Sequence, residues 1–218
     1  MAKKGVTDPK LSGRFITIEG TEGAGKSTAI GALCGYLESQ SRVVVRTREP
    51  GGTVVGEAIR RVLLSQDLPA MHADTELLLM FAARAEHLQK VIHPALNRGE
   101  WVVCDRFTDA TYAYQGAGRG IPASRIGLLE SWAQGDFRPD VTLLLDIDVE
   151  TGLSRTKIRG AGDRFEQETL KFFDEVRQAY LDMAAREPNR FYVIDAAGTP
   201  EQINTQIIAG MEKLIAEF

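Results

Sequence analysis

The stretch Phe15-Ile-Thr-Ile-Glu-Gly20-Thr-Glu-Gly-Ala-Gly-Lys26-Ser27 decides the fold, because it joins a short apolar run to a Gly-x-x-x-x-Gly-Lys-Ser motif. The motif follows a predicted strand and opens a predicted helix, which is the context that a phosphate-binding loop requires. Its glycines let backbone N–H groups turn toward phosphate oxygens, and the helix N-terminus adds partial positive charge. The stretch therefore predicts a P-loop that holds the phosphates of a nucleoside triphosphate.

Within this loop, two side chains have the clearest expected roles. Lys26 is expected to reach the β- and γ-phosphates, and Ser27 to offer its hydroxyl to Mg²⁺. The residues expected around the ATP phosphates are Gly20, Thr21, Glu22, Gly23, Ala24, Gly25, Lys26, Ser27 and Thr28.

Composition limits the class of protein. The 218 residues fit one domain, and 44% of them are hydrophobic, enough for a full core. A formal net charge of −4 gives no basic field, so no nucleic-acid partner is expected. No membrane span or signal peptide is expected either, and Cys34 and Cys104 suggest buried thiols in a reducing compartment, the cytoplasm.

The strand pattern predicts an α/β fold with a parallel sheet flanked by helices, of the P-loop NTP hydrolase or kinase type. Five β-rich runs alternate with segments of helical spacing, at 15–19, 42–47, 101–105, 141–147 and 191–195. We expect a polar extension over residues 1–13 and a single kinase domain over 14–218, with a flexible lid at about 155–165. Ligands on such a sheet bind beyond the carboxyl ends of its strands.

Two helical stretches carry terminal signals. The longest runs from Thr75 to Asn97, and Pro94 is expected to end or kink it. Near the C-terminus, Thr199 is a candidate N-cap before Pro200, and apolar residues expected to face the core follow at Ile203, Ile207, Met211 and Ile215.

Charged residues follow the predicted strand ends. At Asp105-Arg106, the carboxylate suits a Mg²⁺-bound water or an arginine, and the guanidinium suits a phosphate. Arg48 precedes the turn at Pro50-Gly51 and is expected at the same edge. These positions predict a second phosphate site beside the P-loop.

A basic cluster surrounds Gly160-Ala-Gly162 and consists of Arg155, Lys157, Arg159 and Arg164. One interpretation is a solvated basic face. The other is a flexible flap that excludes water and supplies an arginine to the transferring phosphoryl group.

The chain lacks the motifs of competing P-loop classes. A GTPase should carry an Asn/Thr-Lys-x-Asp motif that reads guanine. Thr156-Lys157 begins like this motif but is followed by Ile158-Arg159, so the aspartate is missing. Large ATPases need a longer chain. A small-molecule kinase fits best.

Together the motifs closely resemble bacterial thymidylate kinase (dTMP kinase), a P-loop nucleoside monophosphate kinase family, from about Phe15 to the C-terminus. The most specific elements are Glu19 to Ser27, Arg48-Glu-Pro-Gly-Gly-Thr53, Asp105-Arg-Phe107 with Tyr114-Gln115-Gly, and Asp163-Arg164-Phe-Glu166. The resemblance implies a five-stranded parallel sheet, a homodimer, and the reaction ATP + dTMP → ADP + dTDP with Mg²⁺.

The resemblance also assigns roles to individual residues. It implies that Glu22 holds the 3′-hydroxyl of dTMP, that Arg84 bonds a thymine carbonyl, and that the ring of Tyr114 disfavours ribose. Phe81 lies three residues before Arg84, where the family's stacking phenylalanine lies four before; Phe81 is favoured and Met80 is the alternative. The implied dTMP-binding set is Glu22, Arg48, Pro50, Arg60, Phe81, Arg84, Arg106, Thr111, Tyr114 and Gln115.

The same comparison gives the metal and catalytic sets. Ser27 and Asp105 are the expected metal-site residues, and the expected catalytic residues are Glu22, Lys26, Arg106, Arg155 and Arg159. Two alternatives stay open: a kinase for another nucleotide or deoxynucleoside, and a non-catalytic nucleotide-binding module.

Overall fold

The computed structural model describes residues 13–157, 164–165 and 168–216, with the backbone alone at 157 and over 213–216. Its five strands are β1 (Phe15–Glu19), β2 (Val44–Arg48), β3 (Trp101–Asp105), β4 (Val141–Asp146) and β5 (Phe191–Asp195). They form one parallel sheet in the order β2-β3-β1-β4-β5, which confirms the predicted fold.

Two strand boundaries differ from the prediction. β2 starts at Val44, not at Arg42, because the Arg42 N–H still bonds the Leu37 carbonyl in the turn after the first helix. β4 ends at Asp146, one residue earlier than predicted.

Helices cover both faces of the sheet. In chain order they are α1 (Lys26–Ser39), α2 (Val54–Leu64), α3 (Ala73–His87), α4 (His93–Asn97), α5 (Thr108–Thr111), α6 (Ala123–Gln134), α7 (Val149–Lys157), α8 (Leu170–Arg186) and α9 (Pro200–Ala216). Two π-helical segments, Leu88–Ile92 and Tyr112–Gly118, continue α3 and α5.

β1 shows why the sheet needs two helical layers, since all five of its residues are buried. Ile16 and Ile18 pack in a core cluster with α1 and α9, while Phe15 packs on the other face with the 88–92 segment and Phe107. Strands buried on both faces read as continuous apolar runs, as the sequence does here.

Pro94 does not end its helix, which continues to Asn97. The π segment before it places Pro94 in the first turn of α4, where a proline ring and a missing N–H are tolerated. At the other end of the chain, Thr199 Oγ1 accepts from the Gln202 N–H at 3.3 Å, as expected of a cap. Ile203, Ile207 and Met211 are buried, whereas the Ile215 side chain and residues 1–12 lie outside the described part of the chain.

Candidate active site

A cavity of about 300 Å³ opens beyond the carboxyl ends of β1, β2 and β3. The motifs that follow these strands meet there, because parallel strands end at one edge of the sheet. Nine of the ten predicted dTMP-binding residues line it, the exception being Phe81. Both expected metal-site residues, Ser27 and Asp105, line it too.

The P-loop forms one wall of the cavity. Gly23 has φ +73° and a Cβ there would lie 1.9 Å from the Gly152 carbonyl oxygen, so only glycine fits. Lys26 Nζ donates to the carbonyls of Gly20 and Thr21 at 3.1 and 3.0 Å, which curls the side chain over the loop. Burial, and then the positive charge of Arg106, lower the pKa of Lys26. Of the expected ATP set, Glu22, Gly23, Gly25, Lys26, Ser27 and Thr28 line the cavity, and Gly20, Thr21 and Ala24 lie behind it.

Arg106 stands opposite the P-loop. Its Nη2 donates to Glu22 Oε1 at 2.8 Å, its Nη1 donates to the Gly20 carbonyl at 3.0 Å, and its guanidinium lies 4.6 Å over the Tyr114 ring. The guanidinium thus links the end of β3 to the loop after β1. A ligand phosphate at this point would replace interactions that the protein already makes with oxygen acceptors.

The backbone of Arg106 is left-handed, with φ +67°, which is uncommon for a non-glycine residue. Two contacts hold this turn: the Arg106 N–H donates to the Ile18 carbonyl at 3.0 Å, and the Phe107 N–H donates to Glu19 Oε1 at 2.7 Å. Tyr180 donates its hydroxyl to the other oxygen of Glu19 at 2.7 Å. Burial, with a further contribution from Asp109, raises the pKa of Glu19 to about 8.

Asp105 has a carboxylate oxygen, Oδ1, that is buried and has no hydrogen-bond partner within the described residues. It lines the same cavity as Ser27. Mg²⁺ in nucleotide sites takes one or two protein oxygens together with substrate phosphates and waters, so this pair fits the ion. Over the described part of the chain, no cluster of three His, Cys, Asp or Glu side chains offers a separate metal site.

The far end of the cavity is built around Arg84, whose side chain is 2% exposed. Arg84 Nε donates to Glu49 Oε2 at 2.7 Å and Nη2 donates to Thr111 Oγ1 at 3.0 Å. Its remaining nitrogen, Nη1, is buried without a partner among the described residues. The other oxygen of Glu49 is 2.9 Å from Nδ1 of His87, a fully buried ring.

The sequence favoured Phe81 over Met80 as the side chain that stacks on the base, and the structure places these two residues differently. Met80 lines the cavity, whereas Phe81 is 4% exposed and packs in a core cluster with Leu77 and Ile126. In the regular helix α3 the residues three and four before Arg84 both lie beside it, but only Met80 lines the cavity. Phe81 still contacts Arg84, whose guanidinium lies 4.8 Å over its ring.

The remaining predicted side chains are divided between the cavity and its surroundings. Arg48 and Arg60 line the cavity and bond Glu57 and the Pro50 carbonyl, respectively. Arg155 is turned to the loop after β5, where Nη1 donates to the Ala196 carbonyl at 3.0 Å. Arg159 lies outside the described residues, as do Asp163, Glu166 and most of the predicted lid.

Comparison with known proteins identifies the family of the chain. A family model described as thymidylate kinase matches residues 18–207. The chain belongs to the thymidylate kinase family.

Similar proteins cover nearly the whole chain. It is 58% identical to a thymidylate kinase of Alkalilimnicola ehrlichii over 94% of this chain and 95% of that one. It is 59% identical to one of Pseudomonas entomophila over 86% and 89%, respectively. A crystal structure of thymidylate kinase from Ehrlichia chaffeensis superposes with a TM-score of 0.74 at 33% identity, covering 92% of this chain and 99% of that one.

Sequence reasoning missed three buried acidic side chains at the cavity of this thymidylate kinase family member: Glu49 lines the cavity, and Glu19 and Glu76 lie behind its wall. Glu19, Glu49 and Glu76 are at most 4% exposed, and each binds a residue that the site needs. Glu19 and Glu49 lie inside the quoted motifs, and the available signal was an acidic residue at or just after a predicted strand. Glu76 lies with Asp74 in the first turn of α3, where acidic residues are common, so the sequence carried no signal of its burial.

Proposed function

We propose that this chain transfers the γ-phosphoryl group of ATP to the phosphate of dTMP, with the P-loop holding the donor and the cavity holding the acceptor. The observation that supports this most directly is the contact of Arg106 with Glu22 at 2.8 Å. It brings the residue expected to bind the acceptor phosphate against the loop expected to bind ATP. Donor and acceptor would therefore meet between these two side chains.

Base recognition depends on the hydrogen-bond donors and acceptors that the protein presents at the Arg84 end of the cavity. Arg84 Nη1 offers a donor, and Gln115 donates its amide nitrogen to Glu76, which leaves its oxygen as an acceptor. Thymine presents an acceptor at O4 beside a donor at N3, the complement of this pair. Cytosine presents the reverse, and a buried unpaired polar group is costly.

The sugar would lie beside Tyr114 and Glu22. Tyr114 donates its hydroxyl to Glu22 Oε1 at 3.0 Å, so the carboxylate and the ring are held together. A carboxylate here accepts from a 3′-hydroxyl, and the ring fills the space in which a 2′-hydroxyl would project. The pair supports selection of a deoxyribonucleotide.

For the transfer step, the chain supplies position and charge. The acceptor phosphate is already anionic, so no strong general base is needed, and Lys26 and Arg106 stabilise charge on the transferring group and on the acceptor. When bound, Mg²⁺ at Ser27 and Asp105 would neutralise the donor phosphates. Of the two candidate lid arginines, Arg159 is preferred to Arg155, because Arg155 binds the loop after β5.

We also propose a homodimer in the cytoplasm. Exposed apolar side chains lie on α2, α3 and α6, three neighbouring helices: Val54, Val55, Val62, Leu78, Leu128 and Trp132. Such patches mark interaction surfaces. The free, buried thiols of Cys34 and Cys104 suit a reducing compartment, and no helix in the described part of the chain has the length and apolarity to span a membrane.

An acceptor panel tests the function. ADP release would be measured with ATP, Mg²⁺ and each of dTMP, dUMP, dCMP, AMP and thymidine, for the parent and for Lys26→Ala. We expect dTMP to be the best acceptor and the variant to be nearly inactive. A better rate with another acceptor would favour the first alternative, and no turnover despite ATP binding would favour a non-catalytic module.

A further inference from the structure

Glu76 is a fully buried carboxylate that the transfer mechanism does not use. It lies on α3, two turns before Arg84, and is 0% exposed. An isolated charge in such a position is strongly unfavourable, so its partners define its role.

Three side chains bind this carboxylate: Gln115 and Arg119 from the second π-helical segment and its C-terminal end, and Arg164 from much later in the chain. Gln115 Nε2 donates to Oε1 at 2.8 Å. Arg119 bonds both oxygens, at 3.3 and 3.4 Å, and Arg164 Nη2 donates to Oε2 at 2.6 Å. With two guanidinium groups in contact, both oxygens of Glu76 act as acceptors.

The consequence for Gln115 is a fixed amide orientation. A glutamine amide is symmetric in shape, so only its hydrogen-bond partners decide which end is nitrogen. Because Glu76 accepts and does not donate, the Gln115 nitrogen must face it. The oxygen is then the end of the amide that a ligand in the cavity meets.

We propose that Glu76 is a positioning residue that sets the hydrogen-bond polarity of the base site, so that Gln115 accepts from N3–H of thymine and rejects the N3 acceptor of cytosine. This inference rests on the proposed placement of the dTMP base. Glu76 acts through Gln115 and does not itself line the cavity.

The test compares a side chain at position 76 that can donate a hydrogen bond with one that can only accept. Glu76→Gln keeps the shape but offers either end of an amide, so Gln115 is free to turn. We expect the ratio of kcat/KM for dTMP over dCMP to fall at least about tenfold, the effect of one misdirected hydrogen bond. The KM for ATP should stay within about twofold of the parent, since the donor site is untouched. Glu76→Asp still only accepts, so it should keep the ratio while raising the KM for dTMP.

Glu130→Gln is the matched control. Glu130 is another buried carboxylate, 6% exposed, and it also binds a hydroxyl, an amide and an arginine, from Tyr112, Gln134 and Arg138. It does not line the cavity, so this variant should lose stability without changing the dTMP to dCMP ratio. Thermal unfolding of every variant shows whether it is folded.

The outcomes separate this inference from the placement of the base. Gln115→Leu must change the ratio if the base lies against Gln115; an unchanged ratio contradicts the placement itself. If Gln115→Leu changes the ratio and Glu76→Gln leaves it within about threefold, the role of Glu76 is refuted. If Glu76→Gln does not fold, an unchanged KM for dTMP in Glu76→Asp refutes it instead.

Discussion

Glu49→Gln is the most informative stability prediction, because it removes one charge from a buried cluster at the base end of the cavity. Glu49 is 4% exposed, and its partners Arg84 and His87 are 2% and 0% exposed. The contacts are short, at 2.7 and 2.9 Å. Glutamine has the same shape, so the change tests charge and hydrogen-bond polarity, not volume.

The expected loss of unfolding free energy comes from the two buried partners, Arg84 and His87, that remain when Glu49 is replaced. Arg84 keeps its charge but loses its buried counterion, and breaking such a pair costs about 3–5 kcal/mol of unfolding free energy. The new amide can accept from Arg84 but must then turn its N–H₂ toward Nδ1 of His87. His87 can accommodate this only by moving its own proton to Nε2, which faces Thr47 at 2.6 Å.

Urea denaturation of the parent, Glu49→Gln and Glu175→Gln measures the effect. Glu175 supplies the control: it pairs with Lys171 at 3.7 Å, and the two side chains are 43% and 86% exposed. An exposed pair at this spacing contributes about 0.5 kcal/mol or less. In addition, the KM for dTMP of Glu49→Gln should rise about tenfold, since Arg84 exchanges the charged partner that orients it for a weaker neutral one.

The reasoning would be refuted if the two variants lost similar stability. It would also be refuted if Glu49→Gln lost less than about 1 kcal/mol, because the pair would then behave as a solvated one. A stability loss without any change in the KM for dTMP would limit Glu49 to a structural role.

Three further predictions concern the chemistry, the pH dependence and the assembly. Arg106→Lys should lower kcat/KM for dTMP by about 10²–10³, because a single ammonium group cannot bind Glu22 and a phosphate at once as the guanidinium does. Steady-state ADP release would measure this loss, and a value near the parent's would contradict the role assigned to Arg106. Glu19 has a folded pKa of about 8, raised from 4.5, so the folded state binds the extra proton between these values and stability falls as pH rises through them. Between pH 5 and 8 the unfolding free energy of the parent should fall by up to about 1.4 kcal/mol per pH unit, and Glu19→Gln should not show this fall. The same pH dependence of the urea midpoint in both proteins would refute the prediction. Trp132→Glu should shift the protein from dimer to monomer in sedimentation velocity, because this 87%-exposed ring lies in the proposed interface; an unchanged dimer would exclude α6 from it.

The fold was largely predictable because its signals are local. Strand runs buried on both faces, and a glycine-rich loop between a strand and a helix, follow from periodicity and from backbone geometry. The details that the sequence did not decide depend on neighbouring segments. β2 begins only after the turn that follows α1, and the π segment before Pro94 allows the helix to go on to Asn97 instead of ending.

The sequence also predicted that the P-loop and Asp105-Arg106 come together. The P-loop and Asp105-Arg106 lie at strand ends, and parallel strands bring such positions to one edge. Phe81 shows the limit: its spacing from Arg84 did not decide whether it or Met80 reaches the cavity. In the structure Phe81 packs in a core cluster, and Met80 lines the cavity.

The sequence by itself determined the parallel sheet, the position of the P-loop and the family to which the chain belongs. Only the tertiary structure decided which acidic side chains are buried and which partners bind them. Glu19, Glu49 and Glu76 come from different segments, and they contact Phe107, Arg84 and Gln115 across 88, 35 and 39 positions of the chain. Such pairings leave no periodic trace, because a buried charge is satisfied by whichever partner the folded core brings within hydrogen-bond distance.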